Sequence, residues 1–151
     1  MSDFTKNIFG ARPCVVGALQ YLKVLGIGDF RPGIAKEENE GYPSPPCLRL
    51  DYPGFWRFRW GIFPGQQSIS IWTKQVSNVS GYRPQIVVKA NPEFGVLSDQ
   101  TATAPEGTGW VQIGPLTLTA SQAGWVWVEL WNRDTYTFNS PCYFDHLVSS
   151  K

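Results

Sequence analysis

The sequence predicts an all-β protein, an antiparallel sandwich or barrel of short strands behind an irregular N-terminal arm. Three observations predict it. Among 151 residues there are 7 Trp, 6 Tyr and 9 Phe with 15 Gly and 12 Pro, while Met1 is the only methionine. That is a strand-and-turn composition, whereas helical domains are richer in Ala, Leu, Glu and Lys. From Cys47 onward apolar residues recur with a period of two, and Gly, Pro, Asn and Asp punctuate the runs.

Residues 1–45 are expected to form the arm and linker, and residues 46–151 the sandwich domain. In the arm, Ile8, Phe9, Leu19, Tyr21, Leu22 and Leu25 are the candidate contacts. Leu19, Leu22 and Leu25 stand at helical spacing, while Leu19, Tyr21 and Leu25 fit one face of a strand, so both conformations stay open. Gly26 and Gly28 end either element. The acidic, Pro- and Gly-rich stretch from Arg31 to Pro46 reads as an exposed loop.

The strands then follow in order. Leu48 and Leu50 alternate with Arg49 and Asp51, and Trp56, Phe58 and Trp60 alternate with Arg57 and Arg59. After the turn at Pro64-Gly65, Ile69, Ile71 and Thr73 alternate with Ser68, Ser70, Trp72 and Lys74. Ile86, Val88 and Ala90 face away from Gln85, Val87 and Lys89. Val111 and Ile113 precede Gly114-Pro115, and Leu116 and Leu118 follow it. Val126, Val128 and Leu130 alternate with Trp125, Trp127, Glu129 and Trp131, and a last run spans Cys142 to Val148. Seven or eight such strands suit a two-sheet antiparallel fold.

The segment from Trp125 to Trp131 is the most informative. Successive side chains on a strand point to opposite faces. With Val126, Val128 and Leu130 in the core, Trp125, Trp127, Glu129 and Trp131 project outward. Trp72, opposite Ile69 and Ile71, and Trp110, opposite Val111 and Ile113, are expected to point outward too. A row of exposed indoles is an apolar patch that calls for a partner. A sugar can stack on it, with Glu129, Lys74 or Arg133 bonding hydroxyls; another protein can bury it; or the arm can fold over it. Arg57 and Arg59, with Arg49 near in sequence, form a basic strip between aromatics that reads first as a solvated strand face.

The segments "GQQSISIWTKQVS", "RPQIVVKANPEFGV", "TAPEGTGWVQIGPLTLTASQAGWVWVELWN" and "SPCYFDHLVSS" together resemble the jelly-roll sandwich of carbohydrate-binding modules, which also recurs in phage and virion structural proteins. The resemblance spans roughly residues 47–150 and implies a jelly-roll-like β-sandwich. In many such modules the Asp of the closing Phe-Asp pair helps to hold a structural calcium ion, and the matching position is Asp145. His146 follows where a second acidic residue is common, and calcium asks for several oxygen ligands. Asp145 is therefore only a weak calcium candidate, with hydrogen bonding to a neighbouring loop as its simpler role. No cofactor and no other metal is implied.

The remaining features exclude more than they assign. A net charge of +1, from 13 basic and 12 acidic residues, does not suit a specific nucleic-acid binder. No run of about 20 apolar residues is present for a membrane helix. The first ten residues lack the apolar core of an export signal, and an odd number of widely spaced cysteines, Cys14, Cys47 and Cys142, suits reduced, buried thiols. His146 is the only histidine and no nucleophile motif accompanies it, so no enzyme is expected. The leading expectation is a non-enzymatic virion structural protein, a phage capsid decoration or cement protein assembled in the host cytoplasm. Its partner would be the major capsid protein or another virion protein, and it would self-associate, with a trimer as one form. The alternative is a carbohydrate-binding module, free-standing or on a receptor-binding appendage, with the tryptophans as its platform.

Overall fold

The computed structural model describes residues 34–37, 39, 42, 47–51, 53–76, 83–133 and 141–150. Within them nine strands form two antiparallel sheets. The strands are β1 (Ile34–Glu37), β2 (Cys47–Leu50), β3 (Gly54–Ile62), β4 (Gly65–Gln75), β5 (Gln85–Val88), β6 (Gln100–Thr103), β7 (Val111–Ala120), β8 (Gly124–Asn132) and β9 (Cys142–Ser150). One sheet has five strands in the order β1-β2-β9-β4-β7, and the other has four in the order β3-β8-β5-β6. The antiparallel sandwich expected from the period-two runs is the fold observed. No helix among the described residues is long and apolar enough to cross a membrane.

Alternation explains why the sheets face each other. From the four-stranded sheet, Trp56, Phe58 and Trp60 of β3, Ile86 and Val88 of β5, and Val126, Val128 and Leu130 of β8 are fully buried. Leu48, Ile69, Ile71, Phe144 and Leu147 meet them from the five-stranded sheet. This interior supplies most of the driving force for folding, because each large apolar side chain taken from water contributes about 1.5–3 kcal/mol. Asn132 ties the sheets together at one end, its Nδ2 donating to the Leu50 carbonyl at 3.0 Å. At the other end Gln67, also buried, spans the β3–β4 corner, where its Oε1 accepts from the Phe63 amide at 3.1 Å and its Nε2 donates to the Phe63 carbonyl.

The structure corrects the reading of one segment and adds detail to two others. Within the stretch expected to be an exposed loop, Ile34–Glu37 pairs with β2, from Ile34 opposite Leu50 to Glu37 opposite Cys47. The edge of β2 offers unpaired amides and carbonyls, and four residues suffice to fill it whatever their side chains. Strand β6 is likewise absent from the alternation because its side chains are small and polar. Gly114-Pro115 lies within a strand and not between two. It forms a bulge inside the single strand β7, where Ile69 lies opposite Leu116 and Ile71 opposite Ile113. The expected arm contacts Ile8, Phe9, Leu19, Tyr21, Leu22 and Leu25 lie outside the described residues.

Candidate functional site: an arginine-capped tryptophan face

Strand β8 lies between β3 and β5, so its outward side chains occupy the middle of the four-stranded sheet. Its inward residues Val126, Val128 and Leu130 are locked in the core, which forces Trp125, Trp127, Glu129 and Trp131 to the other face. The strand is well anchored: Asn91 Nδ2 donates to the Trp125 carbonyl and the Lys89 amide to the Trp127 carbonyl, each at 2.9 Å. Trp125 and Trp127 meet edge to face with centroids 5.5 Å apart. The three indoles are half-buried, and what covers them comes largely from the neighbouring strand.

In β3, the residues facing outward beside β8 are Phe55, Arg57 and Arg59, opposite Trp131, Glu129 and Trp127 respectively. The two arginines lean diagonally along the ladder. Arg57 Cζ lies 4.4 Å from the Trp127 ring centroid, and Arg59 Cζ lies 4.2 Å from that of Trp125 and 5.4 Å from that of Trp127. Arg133, just after β8, places its Cζ 3.7 Å from the Trp131 centroid, while Phe55 packs against Trp131 at 4.4 Å. Guanidinium over an indole face is favourable because the ring quadrupole is negative there.

Hydrogen bonds fix the remaining polar groups. Trp131 Nε1 donates to Glu129 Oε1 at 3.0 Å, and Glu129 is only 8% exposed. Arg133 Nε donates to Gln85 Oε1 at 2.7 Å, and Gln85 Nε2 donates to Thr103 Oγ1 at 2.9 Å. Beyond β5, Lys89 Nζ reaches Asp99 Oδ2 at 2.6 Å, and Asp99 Oδ1 also accepts from the Ala90 amide. The hydrogen bond to Asp99, aided by the field of Glu129, raises the Lys89 pKa, and the same bond with the Ala90 amide lowers that of Asp99.

Trp72 and Trp110 do not belong to this row. They lie with the five-stranded sheet, so the outward-pointing indoles expected from the sequence divide between the two sheets. Trp72 stands on β4 opposite Asp145 of β9. Tyr42 stacks on Trp72 with centroids 3.8 Å apart and 16° between planes, and lies 6.1 Å from Trp110. The Tyr42 amide donates to Asp145 Oδ2 at 3.1 Å, and the His146 amide donates to Asp145 Oδ1 at 2.8 Å. Asp145 is fully buried, and each of its oxygens accepts from one of these backbone amides. Among the described residues no three His, Cys, Asp or Glu side chains cluster to hold a metal. Lys74 is on this second face also, opposite Tyr143. A separate groove of about 450 Å³, lined by Leu97, Gln100, Thr117 and Thr119 among others, shares no residue with the tryptophan face.

Sequence reasoning found the indoles and Glu129 but missed what lies on them. Arg57 and Arg59 were legible as a basic strip, yet their place over Trp127 and Trp125 depends on β3 pairing with a strand some 70 residues away, as from Arg57 to Trp127. Phe55 and Gln85 enter by the same pairing. Tyr42 carried no signal, because its neighbours read as loop.

No protein-family model matches the chain, and no curated protein matches it. Solved structures do. A family 16 carbohydrate-binding module matches with a TM-score of 0.59 at 12% identity, over 83% of this chain and 91% of the module. A β-1,3-glucan-binding module of family 6 from Bacillus halodurans gives 0.51 at 16% identity, over 82% and 90%. The family 36 module of a multidomain xylanase from the hindgut metagenome of Trinervitermes trinervoides gives 0.51 at 10% identity, over 83% and 90%. At these identities the likeness establishes the fold, a jelly-roll β-sandwich.

Proposed function

We propose that this protein is a non-catalytic carbohydrate-binding module whose ligand lies across the outer face of the four-stranded sheet. The observation that carries this reading is the alternation of β8, which sets Trp125, Trp127 and Trp131 in one line on a rigid strand with Glu129 among them. Sugars are recognised by such a combination of flat apolar surface and fixed donors and acceptors. The guanidinium groups of Arg57, Arg59 and Arg133, the Gln85 amide and the hydroxyl of Thr103 supply the polar part. The fold likeness to several carbohydrate-binding modules supports the same reading. None of those three neighbours is a capsid decoration protein, so the capsid partner and the self-association expected from sequence have no comparable support, and the alternative is the better-supported reading.

Tryptophan emission tests the proposal directly. Titration with a panel of neutral and acidic oligosaccharides and polysaccharides should quench or blue-shift the emission with at least one member. Replacing Trp127 or Trp131 with Ala should remove that response and leave thermal unfolding within a few degrees of the parent. A panel that leaves the parent protein's emission unchanged throughout would exclude a sugar platform.

A further inference from the structure

On the tryptophan face cations outnumber carboxylates. Among the described residues it carries Arg57, Arg59, Arg133 and Lys89 against Glu129 and Asp99. Lys89 is held by Asp99 at 2.6 Å, and Glu129 is nearly buried and accepts a hydrogen bond from Trp131. An excess of positive charge therefore stands at the surface, on a chain whose net charge is only +1.

The way these guanidinium groups are seated decides what they can bind. Each lies against an indole, with Cζ 3.7 to 4.4 Å from its nearest ring centroid. A guanidinium that stacks through its face keeps its N–H groups in the plane of the group, directed sideways from the edge, where they match a carboxylate or a sulfate in a fork. Arg59 is exposed, and among the described residues its contacts are the two rings. Arg133 spends Nε on Gln85, and its terminal amino groups lie at the far edge. A neutral sugar approaching from the arginine side would have to displace a guanidinium to reach the indole. An acidic sugar would find the cation already aligned by the ring.

The geometry points to an anionic glycan as the ligand of this face, a polysaccharide bearing carboxylate or sulfate groups, engaged chiefly by Arg59 and Arg133 near the two ends of the indole row. The assignment rests on the proposed carbohydrate-binding role and specifies the charge of its ligand. Single-stranded nucleic acid also joins anions to rings, but its bases need bare aromatic faces to stack on. Here guanidinium groups occupy them.

Isothermal titration of the full chain at low salt compares polygalacturonate, dextran sulfate, neutral dextran, a neutral β-1,3-glucan and oligo(dT). Binding is expected for polygalacturonate, for dextran sulfate or for both, which separates carboxylate from sulfate recognition, and it should weaken as salt rises. Arg59→Gln and Arg133→Gln should each reduce that affinity roughly tenfold, the scale of losing one charge-assisted hydrogen bond, with unfolding temperature unchanged. Polyanion binding that ignores both substitutions would be diffuse attraction and would overturn the assignment. Binding of a neutral glucan in preference to the polyanions would overturn it too, while leaving the carbohydrate-binding role intact. Preference for oligo(dT), or no binding to any glycan, would overturn both.

Discussion

Asp145 is a carboxylate committed to backbone amides. It is fully buried, and Tyr42 and His146 each give it an N–H, at 3.1 and 2.8 Å. Its role is to hold the Tyr42 backbone, which in turn seats the Tyr42 ring on Trp72. Asp145→Ala strands both donors in a dry environment, so urea denaturation should show a loss of about 1–3 kcal/mol. A tryptophan spectrum shifted by uncovering of Trp72 should accompany it, while glycan binding on the opposite sheet stays as in the parent. Arg83 performs a related service with the opposite charge. Its Nε donates to the Pro105 carbonyl at 2.9 Å, a terminal amino group donates to the Gly107 carbonyl, and the other donates to Gln75 Oε1. Burial lowers the Arg83 pKa, with the fields of Cys142 and Glu106 opposing that shift.

At the scale of the element, β4 is the strand around which the five-stranded sheet bends. Both neighbours carry an extra residue at successive positions of β4: β7 opposite Ser70, between Ile113 and Leu116, and β9 opposite Ile71, between Asp145 and Val148. Gly114 takes φ 100° in the β7 bulge and His146 takes φ 51° in the β9 bulge. A Cβ at Gly114 would sit 2.9 Å from the Ile69 carbonyl oxygen, closer than a carbon can rest. Gly114→Ala should therefore cost about 1–3 kcal/mol in chemical denaturation, and an unchanged midpoint would mean that the bulge can relax. These bulges also show where legibility ends. Strict alternation made the two faces of β3 and β8 readable residue by residue, although Glu129, on the outward face, is itself nearly buried. The interruption at Gly114-Pro115 looked like the gap between two strands, because a bulge and a turn draw on the same residues. Strand β1 was invisible, since its reason for existing is the open edge of β2. Likewise the indoles could be named from β8 alone, whereas the arginines on top of them required knowing that β3 lies beside it.

For the whole molecule, β3 is the piece that serves both interior and site. Its Trp56, Phe58 and Trp60 are fully buried, and its Arg57 and Arg59, on the reverse side, cap the tryptophans of β8. Truncation in the core should thus disturb both. Trp60→Ala removes a fully buried indole and should cost about 3–5 kcal/mol, a large share of the 5–15 kcal/mol typical of a domain. Calorimetry should show the lowered transition, and at temperatures where the variant remains folded the site should still bind, because its partners in β8 hold their register through nine backbone pairs. The rim where the sandwich ends has a consequence of another kind. Among the described residues β1, β3, β6 and β7 each have a neighbouring strand on one side only, and bare rims of this sort are where sheets recruit one another into fibres. Here β6 is only four residues long, and β7 is broken in mid-course by Gly114-Pro115, whose proline has no amide hydrogen to lend. These two rims are therefore poor templates for aggregation when the chain is crowded onto a polymer at high local density.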